Sequence, residues 1–439
     1  MAGAGEEHVE QIGLQTACIS MALLLTSMAF VISRTARDAL YIQERGLFDL
    51  PLAYIGMAIL SAPMATLILI MMRYGGPRLT RIVAPLATGM LLIVYQRVAE
   101  PGGGPLMTFF FMLISLVFGV LFSVVWLFGA ELLESASQTA RTRAYSLMGA
   151  ATITGGVLGS ALARIWTTQI TPEALLGLAF VLVVGAALVI VLTQRWFPAS
   201  MSDSASSSDP RPRTRDIAVL IQRPYTCLLL GVAMLTSLVG VLVEFQFYLA
   251  AATSGRGSQA QIHFFANLYL VLNAVALLFQ LVVMPRLQRH LGIAGSLLIL
   301  PIALLGGVVT LVGSASLLTR SLLRVTEGGL KSSIHRANWE QAYIPIDRGT
   351  RAVAKVLIDG AGARLAEGLG AVILVVWLRY TVGDTSLVDH DTRWLTWLLL
   401  MSILVWLLLI HLLGRNLTLL TRSEETRHEM RAEIPIPDS

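Results

Sequence analysis

Apolar runs of about twenty residues recur along the chain, divided by short polar or glycine- and proline-bearing stretches. In the first half they lie at about 13–32, 52–72, 80–95, 105–133, 145–166 and 174–194, and in the second at about 225–250, 262–284, 292–313, 314–338, 352–379 and 393–414. Roughly 20 apolar residues is the length a helix needs to cross the hydrocarbon of a bilayer, whereas an outer-membrane strand needs about 9–11 residues of alternating pattern. The pattern therefore predicts an all-α integral membrane protein of twelve transmembrane helices in two six-helix bundles and excludes a β-barrel. Between the bundles, residues 195–224 (RWFPASMSDSASSSDPRPRTRDIAVLIQRP) are rich in Ser, Pro and Arg and cannot bury a core. The organisation expected is an N-terminal bundle over 1–194, a cytoplasmic linker over 195–224, a C-terminal bundle over 225–414 and a cytoplasmic tail over 415–439.

Composition agrees with the pattern. Of 439 residues, 55% are hydrophobic and 13% charged, against about 25% charged in soluble domains, so a large soluble catalytic domain has no room. The leader MAGAGEEHVE is acidic and lacks the positive n-region of a signal peptide, which makes the first run a retained helix. Basic residues gather on one side of the predicted spans, at Arg73, Arg78, Arg81, Arg141, Arg143, the linker, Arg286, Arg289, 331–355 and the C-terminal tail. The other side holds Arg45, Arg97, Arg164, Arg256, Arg379 and Arg393. That asymmetry predicts that both termini and the linker are cytoplasmic; thirty of the 32 basic residues are Arg, a bias that a high-GC bacterial source would give, and the membrane expected is a bacterial inner one. Cys18 and Cys227 lie far apart in apolar stretches and read as small core hydrophobes. No GxxxxGK[ST] loop, metal-ligand cluster or nucleophile triad appears. The expectation is no enzyme, no cofactor, no metal and no nucleic acid. The partners expected are the lipid bilayer and a small-molecule substrate, with a single chain forming the whole pathway as a monomer.

The halves echo each other, as in transporters built from repeated bundles. RYGGPRLTR after the second span has a counterpart in MPRLQRHLG after the eighth, and TRAYSLMGA before the fifth has one in TRAVAKVLIDGA before the eleventh. Gly149, Gly155 and Gly159 in the fifth span, and Gly360, Gly368 and Gly370 in the eleventh, suit close backbone approach.

Ionisable groups inside membrane spans are costly and mark polar pathways. Arg34 and Arg37, three residues apart beside Asp38 at the outer end of the first span, share a helical face and can present two guanidinium forks to an anion. Glu131 and Glu134 close the fourth span, and Glu244 stands in the otherwise apolar seventh. In the tenth span Arg320, Arg324, Glu327, Lys331 and His335 are spaced 4, 3, 4 and 4, which on a helix places them within about 80° of arc. Such a stripe must line a water-filled cavity or pair with other helices. The eleventh span opens with Lys355 and Asp359, followed by Arg364 and Glu367. Arg34, Arg37, Arg320, Arg324 and Lys331 outnumber Glu131, Glu244 and Glu327, an excess that suits an anionic, phosphorylated substrate.

RTARDAL at the first span, WLFGAELL at the end of the fourth, LVEFQF in the seventh and, above all, WEQAYIPIDRGTRAVAKVLIDGAGARL resemble the ATP/ADP translocase family of plastid and bacterial nucleotide antiporters. In the last run Glu340, Ala342, Tyr343, Ile344, Pro345, Asp347, Lys355, Asp359, Gly362, Arg364 and Leu365 carry the match. The resemblance implies a major-facilitator-like fold and a role in nucleotide exchange. It places Arg37 where the family has a functional lysine, and Glu131, Glu244 and Lys355 at its acidic and basic positions. Trp339 and Glu367 stand where the family carries lysines.

The function expected is secondary-active transport of a nucleotide or other phosphorylated organic anion by alternating access. The substrate-binding residues expected are Arg34, Arg37, Glu131, Glu244, Arg320, Arg324, Glu327, Lys331, Lys355 and Asp359. Two alternatives stand beside it: a proton-coupled carrier of a lipid or drug-like cargo, with Glu244 and Glu327 as the coupling carboxylates, and a non-transporting membrane anchor or signalling subunit.

Overall fold

A computed structural model describes residues 2–45, 49–98, 104–133, 136–166, 171–197, 223–252, 258–343, 345–346, 354–381 and 392–432. All of the described secondary structure is helical. The first half contains α1 (Ala2–Arg45), α2 (Leu50–Val98), α3 (Gly104–Leu132), α4 (Gln138–Trp166) and α5 (Pro172–Trp196). The second contains α6 (Pro224–Ala252), α7 (Ser258–Leu278), α8 (Met284–Gly313), α9 (Leu317–Leu330), α10 (Arg336–Gln341), α11 (Ala363–Thr381) and α12 (Arg393–Ala432). Three π-helical segments join or precede them: Phe279–Val283 between α7 and α8, Lys331–His335 between α9 and α10, and Val356–Gly362 leading into α11. Among the described residues, ten helices are long and apolar enough to cross a membrane. The two remaining predicted spans are the first leg of α2, whose apolar part is the shorter Leu50–Met64, and the tenth, which is broken into α9, a π segment and α10. The predicted linker lies largely in 198–222, and Glu134 lies at 134; both fall outside the described residues.

The two echoing basic stretches, which stand between predicted spans, lie within helices in the structure, the first interrupted at Gly76. α2 contains two legs joined at Gly76, whose φ of 74° and ψ of 166° are the one non-helical conformation inside it. That region is open almost only to glycine. A Cβ at Gly76 would meet no atom within 4 Å, so the cost of Gly76→Ala is backbone strain alone, about 1–3 kcal/mol. The variant is expected to melt at a lower temperature than the parent in detergent; an unchanged melting curve would show that the break forms without it.

Packing follows from which faces are small. α1 is wrapped by α3, α4 and α5 within its half, and α2 packs on α3 and α5. In the other half α6 packs on α9, α11 and α12, and α8 on α12. The halves meet where α4 lies against α7, α11 against α2 and α1 against α7. Gly159 sits so close to α1 that a Cβ there would lie 2.8 Å from the Met28 carbonyl oxygen, and one at Gly155 would overlap the Leu24 carbonyl. Across the seam between the halves, a Cβ at Gly156 would lie 2.7 Å from Asn273 Oδ1, and one at Gly368 would lie 3.0 Å from Ala58 Cβ. Gly149 and Gly360, expected to do the same, have nothing within 4 Å; spacing along a helix does not tell which face meets a neighbour. Phe118 and Phe128 fill the first half and Phe245, Phe265 and Trp406 the second, each under 2% exposed. Ile59, Met90, Val181, Leu188, Ile302 and Val309 point outward from the helices. Apolar side chains facing out along helices this long are what a lipid surround solvates.

Candidate functional site

The end of the bundle where α1 begins is its proximal end, and the end where α1 finishes is its distal end. A network of charged and phenolic side chains fills the distal part of the interior. It starts on α1, where residues spaced three and four apart share a face. Arg37 grips the Asp38 carboxylate through both Nε (2.9 Å) and Nη2 (2.6 Å) to Oδ1, donates to Ser115 Oγ on α3, and lies over the Phe111 ring at 4.2 Å. Asp38 is 1% exposed. Its other oxygen accepts hydrogen bonds from Tyr248 Oη of α6 and Tyr269 Oη of α7, each at 2.6 Å, and Arg34 Nε lies 3.4 Å from it. One carboxylate of the first half is thus held by two phenols of the second. A buried carboxylate survives in a membrane interior only when its lone pairs are filled in this way.

Glu244, one turn before Tyr248 on α6, is the second node. Its Oε1 accepts from Arg34 Nη2 of α1 and from Arg324 Nη2 of α9 at 2.6 Å. Arg324 Nη1 also donates to Glu327 Oε2, whose other oxygen lies 3.1 Å from Lys331 Nζ. A continuous ladder therefore runs from α1 through α6 and down α9. The side chains of Arg34 and Glu244 are 21% and 17% exposed, and that of Lys331 is 40% exposed, so the ladder is open to solvent space along one side. Arg34 also covers the Tyr269 ring at 4.8 Å. Farther along the same seam, Asn273 Nδ2 of α7 donates to Ser160 Oγ of α4 at 3.2 Å.

Of the residues singled out from sequence, Arg34, Arg37, Glu244, Arg324, Glu327 and Lys331 come together in this network. The others lie elsewhere. Arg320, one turn nearer the distal end, donates through Nη2 to Thr392 Oγ1 at 2.8 Å. Glu131, at the proximal end of α3, pairs with Arg81 of α2, which also stacks over Phe128 at 4.4 Å. Asp359 accepts from Trp339 Nε1 at 2.8 Å and Tyr343 Oη at 2.7 Å, while Lys355 stands 5.9 Å from the Tyr343 ring centre. Arg364 and Glu367 pair with each other at 2.7 Å. The five-residue stripe of the tenth span is therefore divided. The π segment at Lys331–His335 adds a residue to the turn, and His335 stacks on Trp339 at 5.9 Å and 15° instead of continuing the ladder. Asp38, Tyr248, Tyr269, Ser115 and Arg81 are the partners that sequence reasoning did not place in the site. Asp38 and Tyr248 were within reach, being four residues from Arg34 and Glu244 on the same faces. No sequence signal marks Tyr269.

Opposite charges on facing halves are stacked along one side of the interior, and long apolar helices make the chain a multi-pass membrane protein. The crystal structure of the nucleoside transporter NupG is similar over 91% of this chain and 99% of its own, at 10% identity and a TM-score of 0.66. A mutant of the same transporter is similar over 92% of this chain and 99% of its own, at 11% identity and a TM-score of 0.67. The fold is accordingly major-facilitator-like. More particularly, residues 323–417 match the family model of the TLC ATP/ADP transporter, which bears out the resemblance read from the sequence over the segment that contains the ladder's lower half and the WEQAYIPID run. No curated protein matches the chain.

Proposed function

We propose that this protein is a secondary-active carrier that exchanges a nucleotide or another phosphorylated organic anion by alternating access. In this reading it works as a monomer in a bacterial inner membrane, with both termini cytoplasmic, and no enzymatic step takes part. The observation that carries the reading is the convergence of Arg34 from one half and Arg324 from the other on a single oxygen of Glu244. Two guanidinium forks aimed at one oxyanion position are the donor set that binds phosphate or carboxylate in two-pronged fashion. Arg37, Glu327 and Lys331 complete the pathway, with Lys331 the exposed cation that an incoming anion meets on the side facing the proximal end. Arg81 with Glu131 and Lys355 with Asp359 then act nearer the proximal end, and Arg320 at the distal one. The family match points to nucleotides and the structural likeness to a nucleoside carrier points to the same base and sugar; the four cations of the network favour the phosphorylated form.

Proteoliposomes loaded with ADP and offered labelled ATP are expected to take it up, and to do so faster than liposomes loaded with adenosine. Flat uptake of ATP, ADP, GTP and NAD under every loading would remove the nucleotide reading. Uptake of labelled adenosine without ATP uptake would move the cargo to the nucleoside. Binding is read separately by thermal shift: a ligand that binds the folded state raises Tm by mass action, and ATP or ADP is expected to do so at millimolar concentration or below.

A further inference from the structure

Each cation of the network has a carboxylate of its own half: Asp38 for Arg34 and Arg37, Glu327 for Arg324 and Lys331. Arg34 and Arg324 in addition share Glu244, with one guanidinium coming from each half of the protein and both ending on the same oxygen. The position of that oxygen is the position an incoming oxyanion would occupy, so Glu244 must leave before any anion can bind between the two arginines. With Glu244 in place the network holds four cations, Arg34, Arg37, Arg324 and Lys331, against three carboxylates, Asp38, Glu244 and Glu327. Without it, only two carboxylates face four cations across a partly buried seam, where like charges repel more strongly than in bulk water.

We propose that Glu244 is an internal stand-in for the substrate anion, which neutralises Arg34 and Arg324 in the empty carrier and so allows the distal end to close with no cargo bound. This rests on the reading of the network as an anion pathway. A carrier lacking such a stand-in can bring its two arginines together only when a substrate anion is between them, and it is therefore confined to exchange. A carrier possessing one can close empty, return, and run net one-way transport as well. The bound substrate displaces a carboxylate that is already paired, so the same residue also weakens substrate binding. Its removal tightens binding while taking away the empty return. Other bonds across the seam among the described residues, from Tyr248 and Tyr269 to Asp38 and from Asn273 to Ser160, do not involve Glu244, and Glu244→Gln keeps the side chain's size. The substitution therefore tests the charge alone.

The experiment uses the full-length chain with Cys18 and Cys227 replaced by serine and spin labels on cysteines placed at Leu52 and Leu318. Both positions are exposed, at 53% and 68%, and lie at the distal starts of α2 and α9 on opposite halves. Pulsed electron–electron distance measurement without ligand is expected to give one short distance in the parent and a longer one in Glu244→Gln. Added ATP or inorganic phosphate is expected to restore the short distance. The double variant Arg34→Gln with Glu244→Gln, which removes the uncompensated charge, is expected to close again without ligand. A Glu244→Gln protein that stays short, or a double variant that stays long, would overturn the stand-in; the latter would mean that lost packing and not charge opened the seam. Opening in Glu244→Gln that neither ATP nor phosphate reverses would leave the charge latch standing and remove the anion reading. A Glu244→Gln protein that stays closed yet gains a larger thermal shift from ATP would do the reverse. In proteoliposomes the variant is expected to lose about tenfold or more of its uptake into empty vesicles, with exchange into preloaded vesicles retained. Equal loss of both would count against the proposal.

Discussion

Arg324→Ala is expected to abolish anion-dependent stabilisation and to cut uptake by one to two orders of magnitude. Arg324 is buried, gives one nitrogen to Glu244 at 2.6 Å and another to Glu327, and is the only cation in the described ladder that touches both acids. A charge-assisted hydrogen bond to a ligand is worth about 1.5–3 kcal/mol, which is roughly a 10–150-fold loss of affinity. Removing one partner of a buried ion pair costs about 3–5 kcal/mol when the other charge is left alone. Here Glu244 keeps Arg34 and Glu327 keeps Lys331, so the protein is expected to fold, with a Tm lowered by less than that figure implies. Arg324→Lys retains the charge without the fork and is expected to fall between the two. The check is a melting curve of each variant with and without ADP, followed by ATP uptake. An alanine variant with the parental ADP shift would take the substrate away from this ladder.

The second large effect is structural. Gly155→Ala is expected to separate α4 from α1, because its Cβ would overlap the carbonyl of Leu24. That atom is backbone, and α1 is already wrapped by α3, α4 and α5, so neither side can rotate away as a flexible side chain would. Overpacking of a close helix contact costs about 1–3 kcal/mol or more. α1 also carries Arg34, Arg37 and Asp38, so the displacement reaches the ionic network and transport is expected to fall with stability. Gly149→Ala is the control on the same helix. Nothing lies within 4 Å of that position, and alanine is the better helix former by about 1 kcal/mol. Its Tm is expected to equal or exceed the parent's. Equal melting of the two variants would show that the approach of α4 to α1 is not the constraint it is taken to be.

Much of this protein is readable from its residues alone. A bilayer imposes one length and one polarity on every crossing, so the helical spans follow from local composition, and ten of the twelve expected are long and apolar enough among the described residues. The cost of burying charge makes Arg34, Arg37, Glu244 and Arg324 conspicuous in a chain that is only 13% charged. Pairings are another matter. Glu244 reads as a lone carboxylate in its helix, and only the approach of α1 and α9 shows that two arginines from opposite halves claim it. The five-residue stripe from Arg320 to His335 assumes an unbroken α-helix. The π segment turns its lower end into an aromatic cluster, and a change in hydrogen-bond register of that kind leaves no periodic trace in the residues. Tyr269 is an ordinary apolar-helix tyrosine until α7 brings it to Asp38.

The sequence by itself determined the membrane class, the helical crossings and the residues too costly to bury without purpose, because each of these is settled by a segment's own length and polarity against lipid. The tertiary structure alone decided which charges meet, which glycines touch a neighbour and which single oxygen joins the halves, because those depend on rotations and approaches of helices whose energies are shared among residues far apart in the chain.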